Sequence, residues 1–159
     1  MNGEFLYKKL VDKSVLIHGI TIPVKYHEQL YEKFGYIERG TSKYLKVWIK
    51  DESFDVTLLH VDFKKEIREV LQIRYSSSRN GLPKLLRETF PSTAEFVREC
   101  DRCKDLGLPA PKQNESNKEY LDVVVVDDGF EFVCYPNGND CSDIINEPIM
   151  PKPRKKNRY

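Results

Sequence analysis

Residues 121 to 135, LDVVVVDDGFEFVCY, constrain the fold more than any other stretch. Two runs rich in β-branched and aromatic residues flank an Asp-Gly pair, a strong short-range signal for a β-hairpin. So tight a connection makes the two strands antiparallel, because a parallel pair needs a crossover of a dozen residues or more. Strand composition recurs upstream. Tyr44 to Ile49 puts Leu45, Val47 and Ile49 on one face, and Phe54 to Phe63 is rich in β-branched and aromatic side chains. Residues 67 to 75 alternate through Leu71, Ile73 and Tyr75. Asp51-Glu52-Ser53 is a hairpin-type turn, and Lys64 to Glu66 is a charged break.

Helical signals are short and irregularly placed. Pro23 opens a helix on which Tyr26, Leu30, Tyr31 and Phe34 share a face before Gly35 ends it. Pro83 opens a second, with Leu85, Leu86 and Phe90 on one side. Ser92 and Glu95 have the spacing of a capping box for a third, whose apolar stripe is Phe96, Val97, Cys100 and Cys103, with Gly107 closing it. Ser14 to Ile22 reads as a further strand, with Gly19 as a bulge or bend. Trp48 is expected to cover a second apolar layer under a helix. This order is not a regular strand-helix alternation, which argues against a doubly wound parallel sheet. The expected class is α+β: a mainly β open barrel of mixed or antiparallel strands, with short helices plugging it. One domain over residues 1–149 and a basic disordered tail over 150–159 account for the chain.

With 40% hydrophobic and 32% charged residues the chain can bury a core. It has no apolar run long enough for a membrane-spanning helix and no apolar signal core near its start, so it is expected to be cytoplasmic. The net charge of +1 hides a gradient. Residues 39 to 88 carry 11 basic and seven acidic groups, residues 89 to 150 carry five and 13, and the tail carries five basic groups and no acid. The basic middle is where an anionic partner would dock. The acidic third quarter is the surface on which an alternative reading, a protein-interaction module, would rest.

The basic middle contains LQIRYSSSRNG, residues 71 to 81, a strand running into short hydrogen-bonding side chains. Arginine can bond bidentately to guanine, asparagine to adenine, and serine to bases or phosphates. Arg74, Ser76, Ser77, Ser78, Arg79 and Asn80 gather these types within seven positions, and Lys84 stands in the first turn of the next helix. Arg39, Thr41, Ser42 and Lys43 form a second polar and basic turn. The same residue types also make ordinary turns.

Other chemistry is less well supported. Cys100 and Cys103 have zinc-ligand spacing, and Cys134 and Cys141 would complete a tetrahedron. The first two nevertheless fall on an apolar helix stripe, where cysteine packs as a small hydrophobe. Asp55, Asp62 and Lys64 have the residue types of a metal-dependent nuclease, but seven residues apart the carboxylates face opposite sides of a regular strand. His27 and His60 are expected to be structural. Nothing in the pattern calls for a cofactor, and no catalytic residue is assigned.

The order of motifs resembles the B3-like pseudobarrel, the DNA-reading domain of plant B3 transcription factors. The segments that carry the resemblance are ITIP, PVKYHEQLYEKF, KYLKVWIKDESFDVTLLHVDF, LQIRYSSSRNG, LPKLLRETF and TAEFVREC, covering Val15 to Val97. Related domains are specificity or effector-binding modules of bacterial restriction endonucleases. The resemblance implies a pseudobarrel whose two strand-loop arms enter the major groove of double-stranded DNA. It makes the serine loop the second arm and puts the first near the ITIP junction, where Lys25 is the basic candidate. It also implies a restriction or defence setting, with a nuclease or motor domain or subunit as partner.

Overall fold

Strands and short helices follow one another irregularly: β1 (Glu4–Leu10), α1 (Lys13–Ile17), β2 (Gly19–Ile22), α2 (His27–Phe34), β3 (Ser42–Ile49), β4 (Glu52–Phe63), β5 (Arg68–Tyr75), α3 (Leu82–Thr89), α4 (Pro91–Asp105), β6 (Tyr120–Val126) and β7 (Gly129–Tyr135). A computed structural model describes residues 3–63, 68–75 and 81–135. The strands form one seven-stranded sheet in the order β1-β6-β7-β3-β4-β5-β2. Every pairing is antiparallel except β3 with β7. The expected α+β class with a curled, barrel-like sheet is the architecture observed. The sheet rolls far enough for its two edges to face each other. Tyr7 on β1 donates its hydroxyl to the Thr21 carbonyl on β2 at 3.3 Å and stacks on Tyr26 at 5.1 Å between centroids.

Helices close the two ends of this half-barrel. At one end α1, α3 and α4 bring in Val15, Leu16, Leu82, Leu86 and Phe90, all buried in the core. At the other end α2 inserts Leu30 and Phe34, and the Phe34 ring lies 5.7 Å from that of Phe130 on β7. Between the plugs the inward faces of β3, β4, β5 and β6 supply Val47, Val56, Leu58, Leu71, Ile73 and Val123. None of the described helices is long and apolar enough to cross a membrane.

Five local readings are corrected. Ser14 to Ile22 is not one strand: residues 13–17 form α1, and only Gly19–Ile22 is extended. The Asp12 carboxylate caps this helix by accepting from Val15 N at 3.0 Å, and the adjacent Val15 and Leu16 both point into the core, which a strand could not arrange. β1 was not expected at all. A register shift between Phe5 and Tyr7 buries the neighbours Leu6 and Tyr7 together and erases the alternation that marks a strand. Trp48 is not under a helix; its indole N–H donates to Asp128 at 3.0 Å on the sheet's outer side. The turn between β3 and β4 is Lys50-Asp51, with Lys50 at a positive φ of 50°, rather than residues 51 to 53.

The fifth correction concerns the cap of α4. The helix starts at Pro91, and Glu95 pairs with Arg98 at 2.6 Å instead of reaching back. The cap comes from far along the chain: Glu119, 1% exposed, accepts from Thr93 N at 2.7 Å. Its own carbonyl accepts from Val11 N at 2.9 Å, so one residue ties β1, α4 and the start of β6 together. Burial raises the Glu119 carboxyl above the ordinary glutamate value of 4.5, against the opposing pull of the Thr93 and Ser92 N–H groups. A raised folded value means that the neutral carboxyl is the form favoured by folding. Its contribution is therefore complete below the unfolded value and is lost as pH rises through the folded one. In urea titrations at several pH values, Glu119→Gln should gain stability relative to wild type from acid towards neutral pH, by at most about 1.4 kcal/mol per pH unit. A difference independent of pH would mean that folding leaves the affinity of this carboxyl for its proton unchanged.

Candidate nucleic-acid interface

The alternation of β5 sends Leu71 and Ile73 inward and Gln72 and Arg74 outward. Arg74 is exposed between Thr57 of β4 and Gly19 of β2, at the end of β5 that leads into the serine loop. Its Nε donates to Gln72 Oε1 at 2.9 Å, and Gln72 Nε2 donates to Thr21 Oγ1 at 3.1 Å. This chain of hydrogen bonds occupies Nε and, among the described residues, leaves the two terminal nitrogens of the guanidinium as the outward fork. That fork is the part of arginine that matches a guanine edge or a phosphate.

Arg74 borders a cleft of about 790 Å³ between α1, β2, the second half of β5 and the first turns of α3. Lys84 lines it, as does Arg87, one helical turn further along α3. No carboxylate is among the described residues that line it. The far wall is held to β5 by two bonds: Tyr75 N donates to the His18 carbonyl at 3.1 Å, and the Tyr75 hydroxyl donates to the Val15 carbonyl at 2.5 Å. Burial raises the Tyr75 hydroxyl far above its ordinary value, so it remains protonated and keeps donating. Ser76, Ser77, Ser78, Arg79 and Asn80 lie outside the described residues, as do Lys64, Cys141 and the tail from 150 to 159.

The other candidate contacts sit elsewhere. β5 spans about 16 Å between Glu69 and Arg74, and Arg39 lies at the Glu69 end, where it pairs with Glu69 and stands 3.6 Å from Asp62. Lys25 follows β2 at that same end, its ammonium 5.2 Å above the Tyr26 ring. Lys43 donates to the Phe34 carbonyl at 2.5 Å and so caps the C-terminus of α2, while Ser42 is exposed at the start of β3. The fold thus brings Arg74 and Lys84 to one cleft and leaves Lys25, Arg39, Ser42 and Lys43 outside its lining. The sequence reading missed Arg87, Gln72 and Thr21. Arg87 was detectable from its three-residue spacing to Lys84 on a helix; the other two required the pairing of β2 with β5.

The remaining chemical candidates have partners that explain them. His27 Nε2 is 3.0 Å from the Ile22 carbonyl, and His60 Nδ1 is 2.7 Å from that of Ile37, so both are buried and tied to backbone. Asp55 pairs with Lys46 at 2.8 Å on the outer side of β4. Asp62 faces Glu69 and Arg39 on the opposite side, and no register shift converges the two carboxylates. Cys103 is buried on α4, and burial pushes the Cys134 thiol up to about 12. No three His, Cys, Asp or Glu side chains converge among the described residues. On α4, Glu95, Glu99 and Asp101 pair with Arg98, Arg102 and Lys13. Comparison with protein-family models, with curated proteins and with solved structures finds no match.

Proposed function

We propose that this chain is a non-catalytic domain that reads a short duplex DNA site, built on a B3-like pseudobarrel and serving as the specificity module of a restriction or related defence system. The observation that carries this reading is the cation set Arg74, Lys84 and Arg87. It lies where β5 runs out towards Ser76–Asn80, in a cleft with no lining acid among the described residues. The half-barrel with helices at both ends has the shape that the B3 resemblance leads one to expect. Arg74 reads a base edge with its free fork, and Lys84 and Arg87 hold phosphate. The alternative, a protein-binding acidic face over residues 89 to 150, loses Glu95, Glu99 and Asp101 to ion pairs and would rest on the other acids of that stretch.

Fluorescence-anisotropy titrations against a duplex selected from a random pool test this. Wild-type affinity should fall steeply with salt as phosphate contacts release counterions. Arg74→Ala should lose about tenfold or more of the preference for the selected site over a scrambled one, as expected for a bidentate contact worth about 1–3 kcal/mol. Lys84→Ala should weaken both duplexes alike and reduce the salt slope by about one. Unchanged preference in Arg74→Ala, or no duplex binding at low salt, would overturn the assignment.

A further inference from the structure

We propose that the cleft between α1 and α3 binds a single nucleoside phosphate, either a free mononucleotide or one unpaired unit of a nucleic-acid strand. The free-ligand form stands on the cleft alone; the strand form rests on the duplex reading above.

Gripping a backbone phosphate needs only an exposed cation, not a recess. A volume of about 790 Å³ is that of a small-molecule site. Its walls differ in chemistry. On one side Lys84 and Arg87 project from the same face of α3, with Arg74 beside them. In a chain with 25 acidic residues, the absence of any carboxylate among the described lining residues makes this wall suited to an anion. Across from α3, Ile17 ends α1 and remains 38% exposed, and Pro83 adds apolar surface next to Lys84 at the start of α3. Apolar surface from Ile17 and Pro83 beside the cations suits a ligand that is flat and weakly polar at one end and multiply charged at the other.

The base of the cleft supplies the hydrogen-bonding complement. Arginine Nε can only donate, so the Gln72 atom facing it at 2.9 Å is the amide oxygen. The amide nitrogen gives one hydrogen to Thr21 at 3.1 Å. Among the described residues Gln72 therefore keeps one N–H and one oxygen lone pair without a partner, held in a fixed plane. An adjacent donor and acceptor is what the edge of a nucleobase offers in return. The phosphate goes to Lys84 and Arg87, the base lies against Ile17 and Pro83, and its edge meets Gln72.

Calorimetric titrations of the full chain with the four 5′-mononucleotides, their nucleosides and inorganic phosphate test this. At least one mononucleotide should bind tenfold or more tightly than both its nucleoside and phosphate, and Arg87→Ala should remove most of that advantage. Gln72→Ala should weaken nucleotide and nucleoside alike while leaving phosphate unchanged. Mononucleotides that bind no better than phosphate, or that are indifferent to both Arg87→Ala and Lys84→Ala, overturn the proposal. A parallel arm compares a fully paired duplex with the same duplex carrying one unpaired nucleotide. Tighter binding of the second makes the strand the source, and equal binding makes it the free nucleotide. Paired-duplex binding without mononucleotide binding sinks this inference and spares the duplex reading. The reverse result sinks the duplex reading alone.

Discussion

Alanine at position 19 should destabilise the protein by about 3–5 kcal/mol, combining the cost of overpacking with that of a strained backbone. Gly19 opens β2 at φ +150°, a conformation that residues with a Cβ rarely adopt. A Cβ built there would lie 1.8 Å from the Ile73 carbonyl oxygen and 2.9 Å from its carbon. Both are backbone atoms of β5, so no side chain can swing away to make room. Gly129 repeats the arrangement, with its Cβ position 2.0 Å from the Lys46 carbonyl oxygen where β7 meets β3. Gly35→Ala is the control. Its φ is +89°, but nothing lies within 4 Å, and it should cost only about 1–2 kcal/mol. Urea denaturation ranks the three. Because Gly19 is paired with Arg74, its substitution should also disturb the cleft, whereas Gly129→Ala should not do so directly. Gly19→Ala no more costly than Gly35→Ala would show that β2 and β5 do not approach as described.

Phe130→Ala should cost about 3–5 kcal/mol, the usual range for emptying a fully buried aromatic site. Phe130 is 0% exposed and meets Phe34 of α2 at 5.7 Å with the ring planes tilted by 59°. It is thus the side chain through which β7 receives the helix that closes that end of the half-barrel. If the two rings are coupled, Phe34→Ala and Phe130→Ala together should cost less than the sum of the single changes, by roughly 0.5–1.5 kcal/mol. Strict additivity would mean that α2 packs independently of β7. Phe130→Leu, which keeps most of the volume, should cost clearly less than the alanine change.

Elements with local signals are legible in the sequence. The β6–β7 hairpin, the strands β3, β4 and β5, and the helix opened by Pro83 each announce themselves through alternation, turn residues or a proline at the first turn, whereas Pro23 precedes a 3-10 turn over Val24–Tyr26 and α2 begins only at His27. Failures occurred where distant contacts override local pattern. β1 is hidden by a bulge, α1 by three consecutive apolar residues that suit a strand equally well, and the α4 cap by its arrival from Glu119, 26 residues away from Thr93. The role of Gly129 was only half visible. Its place after Asp127-Asp128 marks a turn, but the close approach of Lys46 is a property of the β3–β7 pairing.

The candidate site divides in the same way. Arg74 and Lys84 could be named from residue type and position, since arginine and lysine near a serine-rich loop already carry the chemistry of anion recognition. That the two converge while Lys25, Arg39 and Lys43 do not was beyond the sequence, because convergence depends on which end of β5 each residue reaches and on which carboxylates or carbonyls it meets there. Residue order by itself determined the strand-rich, antiparallel character of the chain and the location of its positive charge, both of which are encoded within a few neighbouring positions. Only the tertiary structure decided that the sheet curls until β1 faces β2, that α1 rather than a strand walls the cleft, and which cations share it. Those outcomes depend on contacts between residues far apart in the chain, whose energies no local window contains.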